Sequence, residues 1–505
     1  MYSWIFVCGI IFAFYNAWGI GANDCANSFA TSVGAKVLNL KQAVMIAAVF
    51  EFCGAVFMGS HVTSTVRKKI VDIDLFENNP GALMLGMLCA DLASAIWLTI
   101  ATYFKLPVST THSIIGAIIG FSLAYGGRDA VKWDKVYLVI ASWVASPFIA
   151  GILASLFFYT INKFVFKNQN SYQYTTFIFP ILTFFTFFIN SLFIIYKGSS
   201  QLELDETPLW ISILSSALIG ITTGIMAQFI YLPYIKKKIQ KSKDENRECN
   251  LENVNTKTDS YTEAINLNEE ILSDKNEEIN NLSLEKKIIL TEEKIKKMKE
   301  TKYNNDLNEF YENSATIDED SEKLCNWLQV ITACFSSFAH GSNDVANAIA
   351  PLATIYHIYQ NDSISKKSDV PIWVLVLGGI GIVFGLSTWG YKIINRIGRE
   401  LTKISSSRGF LIELSAALTI IIASRAEIPV STTHCQVGSV IGCGLVGGVK
   451  NIKWTIVNKI LFSWLVTLPI AGLLSAGLFS FGYYSPYELS NTYFSGSNGS
   501  GILIS

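Results

Sequence analysis

The stretch KLPVSTTHSIIGAIIG, residues 105–120, returns as EIPVSTTHCQVGSVIG, residues 427–442. The agreement extends outward in both directions. Upstream, GANDCANS at 21–28 returns as GSNDVANA at 341–348, and downstream the Lys-Trp pair at 132–133 returns at 453–454. Gly21 lies 86 residues before Pro107, and Gly341 lies 88 before Pro429. An acidic residue, Asp91 or Glu413, stands 16 residues ahead of each proline. Two motifs in one order, at nearly one spacing, with a shared acidic position describe an internal repeat.

Half of the 505 residues are apolar and only 16% are charged, which excludes an ordinary soluble chain. Stretches of about 20 apolar residues, enough to cross about 30 Å of hydrocarbon as a helix, fall near 3–20, 42–60, 81–104, 108–127, 136–162, 174–196 and 208–235. Five more fall near 327–355, 371–395, 409–426, 431–449 and 457–482. The expected fold is an all-α polytopic membrane protein of about 12 transmembrane helices. The N-terminal run has no basic leader and continues into GANDCANS, so it reads as a retained span. The nine cysteines, among them Cys25, Cys53, Cys89, Cys334 and Cys443 within spans, show no disulfide or zinc spacing and read as packing residues.

Five units follow from composition. Residues 1–165 form a first transmembrane repeat, 166–235 two additional helices, and 236–323 a loop rich in Glu, Lys, Asn and Asp that is expected to be disordered. Residues 324–482 form a second repeat and 483–505 a short polar tail. Lys236 to Lys238 abut the seventh span, which places that loop in the cytoplasm by the excess of Lys and Arg in cytoplasmic loops. Both termini are then outside. Five spans plus two is odd, so the second repeat enters from the opposite face. An inverted repeat of this kind places its substrate site near the midplane, among broken or re-entrant helices.

A carboxylate at that depth is costly and marks a functional candidate. Asp24 and Asp344 are flanked by Asn23, Asn27, Asn343 and Asn347, whose oxygens suit a small hard cation such as Na⁺. Gly21 and Gly341 are expected to let the backbone unwind there. In PVSTTH the proline opens a helix and Ser109 or Ser431 caps it, leaving free N–H groups beside hydroxyls, an arrangement that binds oxyanions. The candidates for the anion are Ser109, Thr110, Thr111, Ser431, Thr432 and Thr433. Carboxylates can accept from a P–OH but not from sulfate, which favours phosphate. Glu51, Asp91 and Glu413 are candidates for a second cation site or a gate. His112, His434 and His340 read either as packed residues or as proton carriers. For each motif, helix capping and interhelical bonding are the competing reading.

GANDCANS, GSNDVANA and the two copies of PVSTTH resemble the inorganic phosphate transporter family of sodium-dependent phosphate symporters. The resemblance spans roughly 1–165 and 325–480. It implies a carrier with no cofactor beyond its coupling ions, commonly a homodimer in a lipid bilayer, that moves phosphate with Na⁺ or H⁺. Asp24, Asn27, Asp344 and Asn347 would then contact phosphate and the ions, the PVSTTH hydroxyls would complete the pocket, and Glu51 and Glu413 match acidic positions used in transport. Cys25 stands where Val is more usual. Proton coupling and sulfate remain open, whereas an intramembrane hydrolase needs one asymmetric nucleophile and base and here every candidate occurs twice. No nucleic-acid partner is expected, and the plasma membrane is the default compartment.

Overall fold

The computed structural model describes residues 2–69, 71–197, 207–256, 317–364, 370–425 and 430–485, of which 61–69, 197, 245–256 and 424–425 are described by their backbone alone. Part of the expected loop at 236–323, Glu427 and Pro429 of the second motif, and most of the tail lie outside the described residues. Among the described residues every regular element is a helix. In chain order these are α1 (Ser3–Ile20), a π-helical turn (Gly21–Cys25), α2 (Ala26–Gly34), α3 (Leu40–Lys69), α4 (Pro80–Tyr103), α5 (Thr110–Gly126), α6 (Trp133–Ile161), α7 (Ser171–Lys197) and α8 (Leu209–Met226). After the charged segment come α10 (Glu319–Asn361), α11 (Ile372–Trp389), α12 (Tyr391–Asn395), α13 (Ser406–Arg425), α14 (Thr432–Val446) and α15 (Trp454–Tyr484).

A separate compact unit, Met226–Thr316, is described as far as Thr256. It holds a π-helical turn (Ala227–Tyr231) and α9 (Leu232–Thr256). The helix therefore runs on past the boundary expected at 236.

Local sequence sets the ends of the elements. Asn79 caps α4 by accepting from the Ala82 N–H at 3.1 Å, with Pro80 in the first turn. Asp318 caps α10 by accepting from the Ser321 N–H at 2.9 Å, and Glu319, Asp320 and Glu322 follow where the helix dipole favours negative charge. Among the described residues nine helices are long and apolar enough to cross a membrane. Of the twelve expected spans, the three outside that set each carry a motif, and the remaining motif copy, at 21–28, falls in Ser3–Gly34, which is within it. α5 has 17 residues, α14 has 15, and the 43-residue α10 is polar where Ser342, Asn343, Asp344 and Asn347 interrupt it. Large apolar side chains such as Val144 (74% exposed) on α6 and Leu473 (74%) on α15 form the face that a bilayer covers.

The halves interlock. α1 packs on α11 while α10 packs on α3, and α5 packs on α15 while α14 packs on α6, so each helix meets a helix of the other repeat in the equivalent pairing. The closest crossings repeat as well. A methyl group in place of the Gly21 hydrogen would stand 1.8 Å from the Ile382 carbonyl oxygen, and one at Gly341 would stand 2.1 Å from that of Glu51. These glycines serve close backbone approach, which corrects the expectation that they unwind both helices. The first motif only widens into a π turn, and the second remains within continuous α-helix.

α4 and α5 form an antiparallel hairpin across residues 104–109. Val71 before α4 bridges Val131 after α5, and Phe76 stacks on Tyr125 at 4.4 Å. Both ends of the hairpin therefore lie at one side, and it leaves the parity of crossings unchanged however deep its tip reaches.

Candidate anion and cation site

The starts of α5 and α14 meet the two Asn-Asp motifs in the interior. Ser109 and Ser431 are extended N-caps, accepting from the His112 and His434 N–H groups at 3.2 and 3.3 Å. Each hydroxyl oxygen thereby caps its helix while its own O–H can still donate, and the two threonines that follow face inward.

Asp24 Oδ2 accepts from Thr110 Oγ1 at 2.8 Å and from the Thr110 N–H at 3.4 Å. Its Oδ1 accepts from Thr433 Oγ1 at 2.6 Å, Asn27 Nδ2 at 2.8 Å and Thr432 Oγ1 at 3.4 Å. Asp344 Oδ2 accepts from the same Thr432 hydroxyl at 3.0 Å, and its Oδ1 from Asn347 Nδ2 at 2.7 Å. Asn347 Nδ2 also donates to Thr111 Oγ1 at 3.0 Å, as Asn27 Nδ2 does to Thr433 Oγ1 at 3.2 Å. Each carboxylate is thus reached from both repeats or through a hydroxyl shared between them. All of these groups except Thr111 and Thr432 are essentially buried.

His340 lies between the carboxylates, with Nε2 3.1 Å from Asp344 Oδ2 and 3.9 Å from Asp24 Oδ1. One donor atom from each of Asp24, His340 and Asp344 falls within 4.8 Å of the others, a group that could hold a cation. A cavity of about 30 Å³, bordered by Asn27, Ser28, His340, Asn343, Thr432 and Gln436, adjoins it. Two ionised carboxylates 4.8 Å apart repel by about 3.5 kcal/mol at an effective dielectric constant near 20. Hydroxyl donors or cations have to offset that.

The remaining candidates sit around this centre. Asn23 accepts from the Val108 N–H at 2.9 Å and donates to Thr102 Oγ1 and the Leu106 carbonyl, both at 2.9 Å, which pins the segment entering α5. Asp91 accepts from Asn16 Nδ2 at 3.0 Å, and Asn16 also donates to the Asn347 carbonyl at 3.3 Å. Glu413 takes the Thr31 hydroxyl and, at 3.4 Å, that of Ser32. Glu51 accepts from Ser337 Oγ at 3.0 Å and contacts His340 Nδ1. His112 and His434 are packed together, ring centroids 4.8 Å apart, between Trp143 and Trp464.

Sequence reasoning missed Asn16, Thr31 and Ser337. The signal was helical spacing. Ser337, His340 and Asp344 follow at i, i+3 and i+7 on one face of α10, and Thr31 stands seven residues after Asp24.

A chain of buried interlocking helices with an apolar outer face, centred on carboxylates, amides and hydroxyls, is a multi-pass membrane protein of the transporter class. The profile of the phosphate transporter family matches residues 20–475. The chain belongs to that family, and like its relatives it is a transporter, not an enzyme. It is 34% identical to inorganic phosphate transporter 2-1, chloroplastic, of Arabidopsis thaliana, over 92% of this chain and 70% of that one. It is 29% identical to sodium-dependent phosphate transporter 1-A of Danio rerio, over 95% of each. A solved structure of a sodium-dependent phosphate transporter superimposes with a TM-score of 0.72 at 29% identity, covering 94% of this chain and 98% of that one.

Proposed function

We propose that this protein imports inorganic phosphate together with sodium ions by alternating access, its two repeats lying inverted in the plasma membrane. The observation that carries the reading is the single Thr432 hydroxyl placed between Asp24 and Asp344. A hydroxyl has one proton to donate. When Thr110, Thr432 and Thr433 donate to carboxylates, they cannot also donate to an oxyanion. Phosphate entering between the starts of α5 and α14 has to draw these donors, and the N–H groups of the first turns, away from Asp24 and Asp344. The carboxylates then need another source of positive charge, and Na⁺ on Asp24, Asp344 and the Asn27 and Asn347 amides supplies it. Anion and cation therefore bind together better than either binds alone, which is the linkage a symporter needs.

In this reading Ser109 and Ser431 orient the helix starts, Asn23 holds the segment entering α5, Asn343 borders the cavity beside His340 and offers its amide to a cation, and Glu51, Asp91 and Glu413 form outer acidic positions that attract or gate the cations. Both termini face outward, the 236–323 segment faces the cytoplasm, and the carrier works as a homodimer. One observation favours proton coupling as the second reading: Glu51, His340 and Asp344 are in line, and such a chain can pass a proton. Uptake of radiolabelled phosphate or sulfate into proteoliposomes under a sodium or a proton gradient separates these possibilities. Sodium-driven, sulfate-resistant phosphate accumulation is expected. Accumulation under a proton gradient alone would replace sodium with the proton, and no accumulation under either would end the symport reading.

A further inference from the structure

The π-helical turn carries a thiol that the ligand cluster leaves unused. Cys25 is fully buried beside Glu51, which in turn meets His340 Nδ1. One donor atom from each of Cys25, Glu51 and His340 lies within 4.8 Å of the others, and all three residues are buried. Repeat symmetry does not explain this grouping. The close crossings that match Glu51 with Ile382, and the motif alignment that matches Cys25 with Val345 and His340 with Ile20, give an entirely apolar counterpart in the other half. Sulfur, imidazole and carboxylate have been brought together on one side only.

We propose that Cys25, Glu51 and His340 form a binding site for a borderline-soft divalent cation of the zinc, cadmium or cobalt class, and that its occupation locks the two repeats together and stops transport. Thiolate, imidazole nitrogen and carboxylate oxygen are the donor set such ions take, at about 2.0–2.3 Å. Sodium, a hard ion, has no preference for the sulfur. On binding, the thiol gives its proton to water, and thiolate plus Glu51 carboxylate neutralise the dication. The surroundings orient the ligands as metal sites require. With the ion on Nδ1, the Nε2–H of His340 faces Asp344 Oδ2 at 3.1 Å, and Ser337 Oγ holds the second Glu51 oxygen at 3.0 Å. Cys25 and Glu51 belong to the first repeat and His340 to the second, so the ion would tie together two bodies whose relative movement the proposed carrier needs. That consequence rests on the alternating-access reading; the site itself does not.

Cobalt titrated into the purified full-length protein reads the site without transport. A thiolate-to-cobalt charge-transfer band in the near ultraviolet, bleached by zinc, is expected. Cys25→Ser and Cys25→Ala should each abolish the band although the other cysteines remain. In proteoliposomes both variants should keep metal-free phosphate uptake and require at least about 100-fold more zinc for half-inhibition, since loss of a direct ligand costs more than loss of an outer-shell partner. No band in the unaltered protein, or an equal band in both variants, overturns the site. A Cys25-dependent band without zinc inhibition of a working transporter overturns the lock. If the protein moves no phosphate at all, the band still decides the site, and only the symport reading falls.

Discussion

Replacing Asp24 with Asn removes one charge and almost no volume, which makes it the sharpest perturbation of the centre. Asp24 Oδ1 accepts three side-chain donors, at 2.6, 2.8 and 3.4 Å, and Oδ2 accepts one hydroxyl at 2.8 Å and one distant N–H at 3.4 Å. The new NH₂ group therefore takes the Oδ2 side, where the Thr110 hydroxyl can turn and accept from it. The three bonds to the remaining oxygen persist as neutral ones, each weaker by about 1 kcal/mol, while the long Thr110 N–H contact is lost. Loss of a buried charge offsets part of that, so the protein stays folded. Cation binding has no such compensation. An ion held among Asp24, His340 and Asp344, whose donor atoms lie within 4.8 Å of one another, loses at least about 3.5 kcal/mol of attraction at an effective dielectric constant near 20, roughly 300-fold in affinity. The assay is the sodium dependence of radiolabelled phosphate uptake in proteoliposomes, with size-exclusion behaviour in detergent as the folding control. Concentrative uptake should vanish at ordinary sodium concentrations while the elution profile is kept. Uptake at the unaltered rate with unaltered sodium dependence would refute the assignment of Asp24.

Thr432→Val removes the hydroxyl shared by the two carboxylates and should raise the half-saturating phosphate concentration about tenfold, since a hydrogen bond to a charged group contributes about 1.5–3 kcal/mol; an unchanged value removes Thr432 from the pocket. Ser431→Ala deletes the cap of α14 and costs about 1 kcal/mol of helix stability, visible as a lower thermal midpoint in detergent together with weaker phosphate affinity. Gly341→Ala drives a methyl to 2.1 Å from the Glu51 carbonyl oxygen and should destabilise by about 1–3 kcal/mol. Gly477→Ala, where nothing lies within 4 Å, is the control and should be neutral or mildly stabilising. Equal thermal midpoints for the two alanine variants would contradict the close-crossing account.

The architecture was legible because the repeat preserves what backbone geometry demands. PVSTTH places a proline, a capping serine and two threonines at the start of a helix, and the structure seats Ser109 and Ser431 as caps. The duplicated Asp-x-x-Asn spacing likewise puts Asn27 over Asp24 and Asn347 over Asp344, within one turn of helix. What could not be read was the partnership across elements. Asn23 and Asn27 look alike in the motif, yet Asn23 turns toward Thr102, Leu106 and Val108 and Asn27 turns toward Asp24. The two stand four residues apart, on nearly one face of the helix, and only packing across the elements decides which partner each amide reaches. Glycine was misread for a related reason. Its freedom of backbone and its lack of a side chain are indistinguishable in sequence, and at Gly341 the second property is the one in use.

The two halves pair their contacts almost one for one. Thr110 on Asp24 matches Thr432 on Asp344, and Asn27 on Thr433 matches Asn347 on Thr111. Thr433 donates to Asp24 at 2.6 Å, whereas Thr111 accepts from Asn347. A site built from equivalent parts need not use them equally at one moment. If the halves exchange roles as the carrier turns over, the hydroxyl that serves Asp24 in one arrangement is matched by one that serves Asp344 in the other. His340, Cys25 and Glu51 have no counterparts in such an exchange. They place the polar surplus on one side of the centre, so the two arrangements differ in energy there, and a cation or proton bound on that side shifts the balance between them.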